Sequence, residues 1–202
     1  MDRHRLDLAD VGPDPLVQVQ AWLDDAVAAG IIEPNAMTLA TVGASGRPAA
    51  RMVLLKEVRP DGLVFYTNRT SAKGRDLAGN PWAALVLHWR ELGRQVRATG
   101  PVVIVDDTAS DAYFATRPRG SQLSAWASHQ SRVVPDRAAL EGRLADRERR
   151  FAGAAVPRPP FWGGYRVAPE EVELWQGRPD RLHDRIRYRT GPAGWTLERL
   201  EP

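Results

Sequence analysis

What most constrains this chain is its punctuation. Short strand-like runs are cut by turn sequences: Met37 to Val42, then Gly43-Ala44-Ser45-Gly46, Ala49 to Lys56, then Arg59-Pro60-Asp61-Gly62, and Leu63 to Thr67. Gly, Pro and Asp at these breaks supply the backbone angles of tight turns, so successive runs are predicted to fold back as two antiparallel hairpins in series. A short helix over about 71–79 ends before Asn80-Pro81, and β runs follow at Trp82 to Trp89 and Arg94 to Val105. Residues 107–150 read as mostly helical, with Tyr113 and Phe114 as buried positions and a charged helix from about 136 carrying Leu140, Leu144 and Phe151 on one side. Then β returns at Gly164 to Val167, Val172 to Gln176, Arg181 to Arg189 and Trp195 to Leu200. Helices are grouped rather than alternating with strands, which argues against a doubly wound parallel sheet. The expected class is α+β: an antiparallel closed or split β-barrel with flanking helices, in one domain over 1–202 whose first 13 residues form a flexible arm.

Ahead of the first strand, Asp14 suits a helix N-cap and Pro15 the first helical position. Leu16, Val19, Leu23, Ala26 and Val27 share a face, and Gly30 provides a stop, so a helix is predicted over 15–29. The chain contains no cysteine, which removes disulfides, thiolate metal sites and cysteine nucleophiles together. Its 202 residues carry 28 Lys+Arg against 25 Asp+Glu, a balance that speaks against polyanion binding as the main theme. Behind Met1-Asp2-Arg3-His4-Arg5 no apolar stretch follows, and no run is long enough to span a bilayer, so a cytoplasmic protein without a membrane partner is expected.

Familiar catalytic signatures are missing. There is no GxxxxGK[ST], HExxH, GxSxG or GxGxxG, and the four histidines, His4, His88, His129 and His183, lack metal-ligand spacing, so no metal site is predicted. Gly43 to Gly46 reads as a hairpin turn, and Ser71 with Lys73 is only a faint hint of a Ser/Lys dyad. More informative is the stretch 181–189, where strand alternation would put Arg181, His183, Arg185, Arg187 and Arg189 on one face. Such a face is an anion site or a solvated basic edge strand that resists aggregation; with Trp175 and Tyr188 nearby it also has the elements of a nucleic-acid surface, against which the balanced charge stands. Of the 28 basic residues only Lys56 and Lys73 are lysines. An Arg-favouring genome explains the excess of arginine but not those two positions, where a compact ammonium is wanted rather than a planar fork.

Ten blocks, in order, carry a resemblance: Arg51-Met52-Val53-Leu54-Leu55-Lys56, Phe65-Tyr66-Thr67-Asn68, Ser71-Ala72-Lys73-Gly74, Asn80-Pro81-Trp82-Ala83-Ala84-Leu85, Arg94-Gln95-Val96-Arg97, Arg117-Pro118 with Ser121-Gln122, Ala125-Trp126-Ala127-Ser128 with Gln130-Ser131, Trp162-Gly163-Gly164-Tyr165-Arg166-Val167, Trp175-Gln176-Gly177 and Arg181-Leu182-His183-Asp184-Arg185. From about Asp14 to Pro202 the chain resembles the pyridoxine (pyridoxamine) 5′-phosphate oxidase family. The resemblance implies an FMN-binding split barrel, a homodimer with flavin at the subunit interface, and oxidation of a phosphorylated B6 vitamer with molecular oxygen as acceptor. It assigns FMN contacts to Arg51, Met52, Val53, Leu54, Leu55, Lys56, Tyr66, Thr67, Lys73, Gln95, Gln130, Ser131, Trp175 and Arg185. It assigns the substrate to Lys56, Tyr113, Arg117, Ser121 and Leu182, with Arg181 and His183 over the reacting ring as the catalytic pair. Two phosphate dianions call for such forks, point cations and hydroxyls, and both lysines fall on assigned positions. Ala72 departs from the family pattern, which commonly has Arg there, and the chain begins close to its first helix. Those features also resemble flavin oxidases of secondary metabolism, as in the phenazine pathway, and a non-catalytic flavin- or pyridoxal-phosphate-binding protein is the third reading. Arg51 and Lys56 have opposite strand parity, so one ligand network uses both only across a bend, bulge or strand end.

Overall fold

A computed structural model describes residues 5–202. The Asp14 carboxylate accepts from the Leu16 amide at 2.8 Å and Pro15 takes the first position, so α1 (Pro15–Ala28) begins where expected. Its inner face buries Leu16, Val19, Trp22 and Ala26. Of the expected arm over 1–13, residues 1–4 lie outside the described residues. From Arg5 onward the segment is docked: Leu6 is buried, its amide donates to Asp184 at 3.1 Å, and its carbonyl accepts from Arg199 at 3.0 Å.

The strands β1 (Ala36–Val42) and β2 (Pro48–Leu54) pair antiparallel across a turn closed by the Gly46 amide on the Gly43 carbonyl. The second hairpin differs from expectation. The strand drawn as Ala49 to Lys56 ends at Leu54, Leu55 turns into the core, and a separate short β3 (Glu57–Arg59) pairs with β4 (Gly62–Asn68). After α2 (Ala72–Gly79), β5 (Trp82–Trp89) lies between β1 and β6 (Arg94–Ile104). The helical stretch contains three helices, α3 (Asp107–Thr116), α4 (Arg119–Ala127) and α5 (Arg137–Arg150), and the chain closes with β7 (Trp162–Val167), β8 (Glu171–Gln176), β9 (Asp184–Gly191) and β10 (Gly194–Arg199).

One path through the sheet runs β10-β9-β8-β6-β5-β1-β2, and a branch adds β7, β4 and β3. The branch point is β6. Its first half, Arg94 to Thr99, pairs with β8, whereas Val102 to Ile104 pair with β7. Between the halves stand Gly100 and Pro101. A Cβ on Gly100 would overlap the Ala168 carbonyl, so only glycine lets the returning chain pass this close. Every pairing is antiparallel, and the split barrel expected from the punctuation is what forms.

The barrel interior buries Met37, Leu39, Leu63, Phe65, Leu85, Leu87, Leu174 and Ile186 beneath α1. A second cluster, Phe114, Leu123, Phe151, Val156 and Trp162, fastens α3, α4 and the end of α5 to β7. At about 25 cal/mol per Å² of apolar surface these layers supply the main driving force, and the second also fixes α3 and α4 against β7, the neighbour of β4.

Candidate active site

A cleft of about 550 Å³ opens between the end of β2, β4, the start of α2, and the α3–α4 junction. Among its lining residues are Met52, Val53, Leu54, Lys56, Tyr66, Thr67, Lys73, Tyr113, Arg117, Ser121 and Gln130. Distant blocks of the sequence thus converge on one concave surface. Lys56 reaches it because β2 stops at Leu54, which is the strand end that its opposite parity to Arg51 required. The Leu55 side chain, 2% exposed, points into the barrel and leaves only its backbone for a ligand.

One corner of the cleft is built on α2. Ser71 caps the helix by accepting from the Gly74 amide, and Lys73 sits in the first turn with 7% exposure. Its ammonium donates to the Thr67 hydroxyl at 3.2 Å, and Thr67 donates to Gln130 Oε1 at 3.4 Å. Burial, and then the nearby Arg51 guanidinium, push the Lys73 pKa below its ordinary value. Arg51 is held inward: it donates to Thr41 Oγ1 at 2.7 Å and pairs with Asp76 at 3.4 Å, while Thr41 donates to the same carboxylate. Arg51 therefore acts behind Lys73 rather than on the cleft wall.

The other corner is built on the α3–α4 break. Tyr113, Arg117 and Ser121, spaced four residues apart, all line the cleft, although the helix is interrupted between them. α3 ends at Thr116, Arg117 is extended because proline follows it, and Ser121 lies in the first turn of α4. No side chain caps α4. The rings of Tyr66, Tyr113 and Trp162 stack, with Tyr66 and Tyr113 centroids 4.0 Å apart, and the Arg117 guanidinium lies over Trp162 at 4.7 Å. Arg117 Nη1 is buried with no hydrogen-bond partner, and desolvation lowers the pKa of the group. Tyr66 donates to Glu57 at 3.0 Å; burial foremost and this hydrogen bond next push its pKa up to about 12.

The remaining assigned residues stand elsewhere. Gln95, Trp175 and Arg185 form one in-register row across β6, β8 and β9, and none of them lines the cleft. The shared strand face drawn for residues 181–189 needs correction. β9 starts at Asp184, while Asp180 and Arg181 take positive φ angles in a short 3-10 turn, so Arg181, Leu182 and His183 precede the strand. Only Arg185, Arg187 and Arg189 keep the common face. Arg181 and Leu182 are exposed, and the His183 ring packs on Trp175 at 4.6 Å with Nδ1 accepting from the Arg178 amide. Ser131 is exposed at φ 71°, beside Gln130.

Cations line the cleft at Lys56, Lys73 and Arg117, and none of the lining residues is acidic. Among the described residues the Lys56 ammonium has no hydrogen-bond or ion-pair partner, Lys73 has only a hydroxyl, and Arg117 keeps an unmade buried hydrogen bond. Two separate anions fit this arrangement: one at the first turn of α2, the other at Arg117, Ser121 and the uncapped α4 start. The same lining carries apolar and aromatic side chains, Met52, Val53, Leu54, Tyr66, Tyr113 and Trp162, on which planar rings can pack, so the residues present fit a flavin mononucleotide with a second phosphorylated aromatic molecule. Asn68, Thr116, Ser124, Ser128 and Trp162 also line the cleft: Asn68, Ser128 and Trp162 stand in the blocks quoted above but were assigned no role, and Thr116 and Ser124 were not named at all. The signal for two of them was there: Ser121, Ser124, Ala125 and Ser128 recur at helical spacing as a stripe too small to be core. Among the described residues no cluster of His, Asp or Glu could hold a metal, and no helix is long and apolar enough to cross a membrane.

The family described as "Pyridoxamine 5'-phosphate oxidase" matches residues 23–149, and "Pyridoxine 5'-phosphate oxidase C-terminal dimerisation region" matches 162–202. A pyridoxine/pyridoxamine 5′-phosphate oxidase of Ralstonia nicotianae is 56% identical over 99% of this chain and 94% of its own, and one of Cupriavidus taiwanensis is 57% identical over 96% and 92%. Among solved structures, PhzG from Burkholderia lata, in complex with tetrahydrophenazine-1-carboxylic acid, superposes with a TM-score of 0.93 at 35% identity, covering 100% of this chain and 98% of that one. An FMN-binding protein of Nostoc punctiforme shares the fold at a TM-score of 0.74 and 20% identity, covering 93% and 97%. With more than half its residues identical to such relatives over nearly its full length, the chain belongs to the pyridoxine/pyridoxamine 5′-phosphate oxidase family.

Proposed function

We propose that this protein is an FMN-dependent oxidase that converts pyridoxine 5′-phosphate or pyridoxamine 5′-phosphate to pyridoxal 5′-phosphate, with oxygen reduced to hydrogen peroxide and, for the amine, one water consumed and ammonia released. The observation that carries the substrate class is Arg117: a guanidinium stacked on Trp162, with a buried unpaired N–H and no acidic neighbour in the cleft. A desolvated cation without a carboxylate is costly unless a ligand supplies the anion. With Ser121, Tyr113 and Lys56 it forms a phosphate site at one end of an aromatic wall.

FMN, when bound, supplies hydride acceptance from the C4′ carbon and delivery of the electrons to oxygen. The chain's own work is binding and alignment. Lys73, backed by Arg51, holds the flavin phosphate at the α2 start, with Thr67 and Gln130 beside it. Arg117, Ser121, Tyr113 and Lys56 hold the substrate phosphate and so fix where C4′ lies. Gln95, Trp175 and Arg185, with Arg181 and His183 just before β9, complete the site from the other subunit of a homodimer. This reading is supported by their standing apart from the cleft of their own chain and by the match of residues 162–202 to a dimerisation region. His183 is oriented for this by Trp175 and the Arg178 amide.

The likeness to PhzG favours a second reading, oxidation of a reduced aromatic acid. Identity of 56% to the vitamin oxidases against 35% to PhzG, together with the retained phosphate donors, supports the first. Anaerobic mixing of the flavin-loaded protein with each substrate tests both. Bleaching of the flavin band by pyridoxine or pyridoxamine 5′-phosphate is the expected result. Bleaching only by a dihydroaromatic acid overturns it in favour of the second reading, and no bleaching by either would leave a binding protein.

A further inference from the structure

Glu173 is a carboxylate in the middle of a sheet, 2% exposed, and nothing in the site described above uses it. It stands on β8 two residues from Trp175, on the same face, one row behind the Gln95-Trp175-Arg185 row. Its in-register neighbours are Arg97 and Arg187. Arg187 turns away to Glu198 at 2.6 Å. Glu173 is left to Arg97, which it contacts on the exposed side, and to Arg185, which it grips with both oxygens: Nε to Oε1 at 2.9 Å and Nη2 to Oε2 at 3.1 Å. The Glu201 carbonyl takes one further hydrogen of Arg185, on Nη1, at 2.7 Å.

A buried ion pair contributes little net stability, because desolvation cancels most of the attraction, and a well-packed apolar residue would serve this strand at least as well. What the fork does supply is orientation. Three of the five N–H bonds of Arg185 are fixed, which immobilises a long side chain and leaves one hydrogen on each terminal nitrogen for a ligand. Arg97 and Arg185 against one carboxylate also leave this group of three side chains with a net positive charge. We propose that Glu173 is a positioning residue for the flavin site: it holds the Arg185 guanidinium in its binding orientation, so that the ordering cost is met during folding rather than on binding. This rests on the reading that Arg185 contacts FMN.

The test is a double-mutant cycle on FMN affinity, followed by flavin fluorescence quenching in apo-protein, with no turnover involved. Glu173→Gln is expected to weaken FMN about tenfold in the otherwise native protein and less than twofold in the Arg185→Ala background. Arg97→Ala, which removes the outer partner and spares the fork, is expected to change affinity less than twofold. If Glu173→Gln does not fold, Glu173→Asp, which keeps the charge but withdraws it by one methylene, carries the same cycle. Equal losses in both backgrounds would mean that Glu173 merely stabilises the sheet, and would overturn the proposal. So would an Arg97→Ala loss as large as that of Glu173→Gln. Wild-type protein that fails to take up FMN would refute the cofactor reading as well, whereas FMN binding without coupling refutes this proposal alone.

Discussion

Replacing Arg117 with alanine separates function from stability. In the ligand-free protein the guanidinium gains from the faces of Trp162 at 4.7 Å and Phe114 at 5.4 Å, a cation–π contribution of about 1–2 kcal/mol when partly desolvated. Against this stands one buried N–H without a partner, which costs about 1–3 kcal/mol. The two offset, so Arg117→Ala is expected to leave unfolding within about 1 kcal/mol of wild type, a melting shift of roughly 2–4 °C in a chain of this size. The substrate tells a different story. A guanidinium fork on a phosphate makes charge-assisted hydrogen bonds of about 1.5–3 kcal/mol each. Taking about 3 kcal/mol for the pair, the loss is roughly 100-fold in KM at 1.4 kcal/mol per decade. Flavin content should be untouched, because the proposed FMN-phosphate corner at Lys73, backed by Arg51, is a separate part of the cleft. Peroxide release at varied substrate gives KM, a thermal melt of apo-protein gives stability, and absorbance of the purified variant gives FMN occupancy. An unchanged KM, or a loss of flavin parallel to the loss of substrate binding, would refute the assignment of the two corners.

Three further outcomes are expected. Ala72→Arg adds a guanidinium at the first position of α2, where Arg69 is already taken up by the Val105 carbonyl and Asp107, and Arg75 by the Thr70 carbonyl; FMN titration of apo-protein is expected to show roughly tenfold tighter binding, about 1.4 kcal/mol, and unchanged affinity would remove residue 72 from the phosphate site. Because burial, and then Arg51, hold the folded Lys73 pKa below the ordinary 10.5, its charge is lost at a lower pH than that of a solvated lysine as pH rises. FMN affinity is therefore expected to fall in that window before 10.5 is reached and to persist to higher pH in Lys73→Arg; the same decline in both proteins would contradict it. Finally, co-expressed Arg117→Ala and Arg181→Ala chains should recover roughly a quarter of wild-type activity, since half the dimers are mixed and each mixed dimer has one intact site of two. No recovery would mean that both residues serve a site within one chain.

Much of this protein was legible in its residues because the signals are local. The Asp14 cap with Pro15 sets the start of α1, the Gly43 to Gly46 turn closes the first hairpin, and alternation along β5 and β6 marks which side chains enter the barrel. The two lone lysines pointed to anion sites, and both line the cleft. The sequence could not tell where long strands change partners. β6 reads as one alternating run, yet it serves β8 and then β7, because the Ala168 carbonyl passes against Gly100, a contact between residues 68 positions apart in the chain. Nor could it tell that Arg181 and His183 leave the pattern of β9, since Asp180 and Arg181 take positive φ angles in an exposed turn closed by the Leu182 amide on the Pro179 carbonyl, a conformation that side-chain alternation does not signal. The burial of Glu173 belongs to the same class. Its neighbours Arg97 and Arg185 come from two other strands, and only the register of three strands together turns a charged residue into the grip on a guanidinium. Local chemistry determined the elements and the residue types of the site; long-range register and close backbone approach decided which of them meet.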